Sequence, residues 1–145
     1  MDTSVIKEAW SPISNQMSLS ASLSDAWLEA LVEVGTATKV NAGDTIISVL
    51  DANTKIGYLL ISGEYCVQKP GDPELIKSAP ELLGEMAELN PSGARIAKVR
   101  ASTEIRMISF GWEKMNAALH ERLDGHDFAT LTEGLKQYAW DHFVE

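Results

Sequence analysis

The residues with most chemical consequence are Arg95 and the pair Gly84-Glu85 upstream of it. Arg95-Ile96-Ala97-Lys98-Val99-Arg100-Ala101 alternates with the period of two expected of a strand, so Arg95, Ala97, Val99 and Ala101 share one face. That face is small and apolar except for Arg95. A guanidinium turned inward without a partner is expensive, on the order of 3–5 kcal/mol when a buried pair is broken. Arg95 therefore either meets an anion, from this chain or bound, or sits at a strand end and reaches solvent; the strand alone leaves both open. A helix beginning near Gly84 offers unpaired N–H groups and a positive dipole end, an arrangement that takes up phosphate. Gly84 permits close backbone approach, and Glu85 places a carboxylate in the first turn. Taken alone, Glu85 reads as an ordinary acid at a helix start.

The elements that must position these residues are legible in outline. Residues 1–22 are rich in serine and suggest a short helix, Val5–Trp10, stopped at Pro12. Ser24 is a plausible N-cap for a helix whose face carries Trp27, Leu28, Leu31 and Val32, with Gly35 ending it. From Thr38 the pattern turns to short β-branched runs: Val40, Thr45–Val49, Ile56–Ser62 and Glu64–Gln68, separated by turn residues such as Ala42-Gly43-Asp44 and Lys69-Pro70-Gly71-Asp72-Pro73. Short strands at such spacing predict a sandwich or barrel, and no βαβ alternation argues for a parallel sheet. One helix-forming stretch, Leu82–Leu89, interrupts the strands and is broken by Asn90-Pro91-Ser92-Gly93. Strand-like sequence returns from Ala94 to Phe110. A short helix, Lys114–His120, and a longer one with Phe128, Leu131, Leu135, Tyr138 and His142 on one stripe follow.

Composition excludes several functions. The 145 residues carry 12 basic and 21 acidic side chains, a formal net charge of −9. Binding along a duplex or an anionic membrane draws on clustered cations, which this chain lacks, so neither nucleic acid nor membrane is an expected partner. A DNA-binding regulator would also need a helix-turn-helix module after the long helix, and none is expected. A single small anion needs only one well-placed cation and a few N–H groups. No apolar run of 18 residues and no signal-peptide pattern is present, which gives a cytoplasmic expectation. Cys66 is the only cysteine, which rules out an internal disulfide and a cysteine zinc site. His120, His126 and His142 fall in the helical C-terminal region, not on strands where a cupin-type metal barrel needs its ligands. Neither a Gly-x-Ser-x-Gly elbow, a His-Glu-x-x-His pair nor a Walker loop occurs, so no catalytic residue, metal or cofactor is assigned and the chain is not expected to be an enzyme.

The run Leu83-Gly84-Glu85-Met86-Ala87-Glu88-Leu89 followed by Arg95-Ile96-Ala97-Lys98-Val99 resembles the phosphate-binding cassette of cyclic-nucleotide-binding domains. Catabolite-activator-type regulators and the regulatory subunits of cyclic-AMP-dependent kinases belong to that family. Ala42-Gly43-Asp44-Thr45-Ile46 and Tyr58-Leu59-Leu60-Ile61-Ser62-Gly63-Glu64 resemble its strand-opening turn and its strand–glycine–strand element. The resemblance implies a mainly β fold, an antiparallel β-roll of the jelly-roll kind over about residues 38–110. It also implies a helix before the roll, a short cassette helix, and C-terminal helices over about 111–144. Residues 23–145 form the domain and 1–22 an N-terminal extension.

By the same resemblance Glu85 accepts a hydrogen bond from a ribose 2′-hydroxyl and Arg95 pairs with the phosphate oxygens. Backbone N–H groups around Gly84, Met86 and Ala87 complete the cradle. A guanidinium fork suits phosphate geometry, and its charge-assisted bonds are about twice as strong as neutral ones. Pro80-Glu81 stands where Gly-Asp is usual. Ile96 stands where a threonine favours cyclic GMP by bonding guanine, so cyclic AMP is the expected ligand over cyclic GMP. Ligand binding is expected to move the C-terminal helices. Tyr138 is then a candidate lid over the base, although packing alone also accounts for it, and the stripe it belongs to is a candidate homodimer surface. The module would act on an effector protein. The alternative is a roll that has lost its ligand and serves as a protein-interaction scaffold.

Overall fold

A computed structural model of the chain describes residues 2–47, 55–69, 71–84, 98–139 and 141. Two helices open it. α1 (Thr3–Gln16) is capped by Asp2, whose carboxylate accepts from the Ser4 amide. It is longer than the expected six-residue helix because it runs straight through Pro12. An interior proline removes one hydrogen bond and costs about 3 kcal/mol. Ile6, Ala9, Trp10 and Ile13 fall on one face of the helix and are all buried, and burial of large side chains at ~1.5–3 kcal/mol each offsets that cost.

α2 (Ala21–Val34) begins at Ser20, not at the expected Ser24. Ser20 takes the capping bond from Leu23 N–H, while Ser24 lies inside the helix and is drawn into contacts with α1. The Ser14 hydroxyl bonds the Ser24 hydroxyl at 2.7 Å, and the Trp10 indole donates to Ser24. Gly35 ends the helix as expected.

Among the described residues eight strands follow, paired antiparallel in two four-stranded sheets. One sheet has the order β1 (Thr36–Val40), β8 (Ile105–Gly111), β3 (Ile56–Ser62), β6 (Glu81–Leu83). The other has the order β2 (Thr45–Ile47), β7 (Lys98–Ala101), β4 (Glu64–Gln68), β5 (Leu75–Ser78). This is the expected mainly β roll with flanking helices. Two strands depart from the sequence reading. β5 had no distinct signal, being a short edge strand with Leu75 and Ile76 exposed. Leu82 and Leu83 belong to β6, not to a helix, because Leu82 pairs with Leu59 and Leu83 with Tyr58 of β3. Tertiary pairing outweighs the helix propensity of the leucines.

The alternation of side chains divides the interior in two. Leu59, Leu82, Ile108 and Phe110 point from the first sheet towards the helices. Leu60, Leu83, Ile105 and Met107 point into the roll, where they meet Ile47, Tyr65, Val99 and Ala101. α3 (Trp112–Arg122) and α4 (Gly125–Ala139) complete the helical layer. An aromatic chain crosses it: Trp10 stacks on Trp27 at 4.0 Å, Trp27 meets Phe110 edge-on, and Phe110 meets Trp112 edge-on. α1 is thus part of the same core as the helices that follow the roll.

Candidate ligand-binding site

The described strands on either side of the cassette-like sequence are β6 and β7. β6 is an edge strand of the first sheet, and β7 lies inside the second. Residues 85–97 join the two, and they carry Glu85, Met86, Ala87, Arg95 and Ile96, which lie outside the described residues. Their flanks are well defined. On the downstream side Val99 and Ala101 are buried within the roll, while Lys98 is exposed and Arg100 pairs with Glu74 at 3.0 Å.

On the upstream side Gly84 ends β6 with φ +75°, a conformation that disfavours any side chain. There is no room for one either: a Cβ would sit 2.6 Å from the Ile56 carbonyl oxygen and 3.2 Å from Tyr58. The Gly84 carbonyl accepts a 2.7 Å hydrogen bond from the Trp112 indole at the start of α3. Position and orientation of the chain at the head of the cassette sequence are therefore fixed from two directions, by β3 and by α3.

The other end of β6 is held as closely. Glu81 is only 7% exposed. Its carboxylate accepts from the adjacent Leu82 amide at 2.9 Å and, by a short hydrogen bond, from the Tyr138 hydroxyl of α4. Tyr65 of β4 lies near enough for its phenol to feel the same carboxylate. Burial first, and then the Glu81 carboxylate, push both phenols far above their usual range. Both tyrosines therefore stay protonated and remain donors.

Of the residues singled out from sequence, Gly84 and Tyr138 are the two that the structure describes. Tyr138 is buried beside Leu131 and Leu135 and reaches β6 through Glu81. The stripe it belongs to faces the chain's own core, so a homodimer built on that stripe would require α4 to leave it. Tyr65 and Trp112 were not singled out, and Glu81 was noted only, with Pro80, as a departure from the usual Gly-Asp. Glu81 carried a usable signal, since it shares the inward parity of Leu83 in a run otherwise apolar. Ile56 also lines an open cleft of about 430 Å³ where β1, β3 and β8 meet α3, with Lys55, Lys114, Thr36 and Ser109 among its walls.

No protein-family model matches the sequence, and no curated protein does. Solved structures do match the fold. The N-terminal domain of a transcriptional regulator from Streptomyces coelicolor A3(2) aligns with a TM-score of 0.58 at 21% identity, covering 78% of this chain and 81% of that one. A protein from Geobacter metallireducens GS-15, named for cyclic-nucleotide binding, aligns at 0.62 and 11% identity, over 83% of this chain and 87% of that one. The catabolite activator protein of Thermus thermophilus aligns at 0.60 and 21% identity, over 87% of this chain and 55% of that one. The chain has the β-roll fold of cyclic-nucleotide-binding domains. Within that roll, the strand ending at Gly84 and the strand carrying Val99 and Ala101 flank the cassette-like sequence. Among the described residues, no helix is long and apolar enough to cross a membrane.

Proposed function

We propose that the chain is a cyclic-mononucleotide-binding regulatory module. In this reading Arg95 pairs with the phosphate, Glu85 reads the ribose 2′-hydroxyl, and N–H groups around Gly84, Met86 and Ala87 complete the cradle. The observation that supports it most is the join between the two sheets. The segment carrying Glu85 and Arg95 lies in the sequence between β6, which leads to a glycine held against Ile56 and Trp112, and β7, whose Val99 and Ala101 turn into the roll. The fold shared with the Geobacter and Thermus structures supports the same reading.

Ile96 offers no hydroxyl to guanine, which favours cyclic AMP. Occupancy of the cassette would act on β6, and through Glu81 and Gly84 on α4 and α3, so the output is a change in the C-terminal helices presented to an effector protein in the cytoplasm. A ligand achieves this only by binding one arrangement more tightly than the other.

Calorimetric titration with cyclic AMP and cyclic GMP, on the wild type and on Arg95→Ala, tests the reading. Heat with cyclic AMP that disappears in the variant supports it. No heat and no thermal shift with either nucleotide would instead favour a scaffold that binds protein alone. Unchanged binding by Arg95→Ala would refute the site assignment while leaving the ligand intact.

A further inference from the structure

Glu81 of β6 accepts a hydrogen bond from Tyr138 of α4, far away in sequence, and lies beside Tyr65 of β4. The remaining described anchors of α4 are largely apolar. Leu131 and Leu135 enter the helix-layer core, Phe128 stacks on His120 at 3.9 Å, and Gly134 lies close to Met17 and Leu19. Apolar contacts of this kind are non-directional and weaken gradually with displacement. The contact at Glu81 is different. A phenol hydroxyl either meets the carboxylate or it does not, and a buried acceptor that loses its donor must recover one from water. Two defined states follow, hydroxyl on carboxylate or water on carboxylate.

We propose that Glu81, Tyr138 and Tyr65 form a polar latch that decides whether α4 is docked, so that α4 opens as a unit when the Tyr138 hydroxyl leaves the Glu81 carboxylate. Tyr65 lies beside the carboxylate on the roll side, and Tyr138 is the movable member. The latch is a property of the ligand-free chain. Its regulatory meaning rests on the cyclic-nucleotide reading, since Glu81 begins the strand that ends at Gly84.

Amide hydrogen exchange on the full chain without nucleotide tests the latch independently of that reading. Tyr138→Phe keeps the ring and removes the hydroxyl. It is expected to speed exchange over residues 125–139 by roughly 10- to 100-fold, the range corresponding to the loss of a hydrogen bond to a charged group. Exchange in β3 and β8 should stay at wild-type rates. Glu81→Leu, which removes the acceptor oxygens, should release α4 in the same way, and the double variant should open little further than either single one. Exchange over 125–139 that does not change in Tyr138→Phe would overturn the latch. So would acceleration spread evenly over β3, β8 and α4, since that would make the contact one part of global stability. The unfolding free energy of each variant, taken from urea titration, separates the local outcome from the global one.

Discussion

The indole N–H of Trp112 donates a 2.7 Å hydrogen bond to the carbonyl of Gly84, tying the first residue of α3 to the point where β6 ends. This contact joins the helical layer directly to the residue that precedes the candidate cassette. Removal of the N–H with retention of an aromatic ring isolates it. Trp112→Phe leaves the Gly84 carbonyl buried without its donor and should cost about 1–3 kcal/mol in urea titration, on top of the smaller ring's packing loss. If the cassette reading is right, cyclic-AMP affinity falls as well.

Gly84→Ala tests the other constraint on the same residue. At φ +75°, with the Ile56 carbonyl 2.6 Å from the new methyl group, the substitution strains the backbone at the end of β6. A loss of about 1–3 kcal/mol is expected, read as a lower urea midpoint at unchanged slope.

The pair Tyr65 and Tyr138 makes stability fall in alkali. Both phenols ionise far above the usual value of 10.0 in the folded chain, because burial and the Glu81 carboxylate disfavour phenolate. The unfolded chain gives up these protons first. Their contribution is complete below about pH 10 and is lost as pH rises towards the folded values, at up to about 1.4 kcal/mol per pH unit for each tyrosine. Urea titrations at a series of alkaline pH values check this, and the slope should flatten in Tyr65→Phe and again in the double variant with Tyr138→Phe. An equally steep wild-type and double-variant profile would place the alkaline sensitivity elsewhere.

Arg95→Lys distinguishes geometry from charge in the proposed ligand contact. Lysine keeps the cation but loses the planar fork, so cyclic-AMP affinity should fall at least about tenfold by calorimetry.

The N-terminal helix is a structural part of the layer, and Trp10 measures how much. Its ring is buried on Trp27 at 4.0 Å, and its indole bonds Ser24. Trp10→Ala should cost about 3–5 kcal/mol, seen as a large drop in the urea midpoint.

Much of this arrangement could be read from the residue pattern. The alternation around Leu59-Leu60 and Ile105–Phe110, the turn residues between strands, and the spacing of Leu131, Leu135 and Tyr138 announce a roll with a helical layer because each follows a local period. What escaped was decided by partners distant in sequence. Helix α1 passes through Pro12 because Ile6, Trp10 and Ile13 find Trp27 and the first sheet, which no local rule foretells. Leu82 and Leu83 are strand because β3 pairs with them. At the site, Gly84 could be singled out from its motif, but Trp112 and Tyr138 act on it and on Glu81 from 28 and 57 residues away. A carboxylate set beside two tyrosines from different elements has no linear signature.

The pairing of β1 with β8 sets Thr36 against Ser109, and among the described residues β1 has no other strand beside it. During synthesis from the N-terminus, β1 therefore waits on the ribosome with its hydrogen-bonding groups unmatched until residues past Ser109 have emerged. The apolar face of α2 waits with it for Ile108 and Phe110. Pairings of such long separation close slowly and leave sticky surface open meanwhile. The roll and its helical layer are therefore expected to close together, once β8 is available to both β1 and α2.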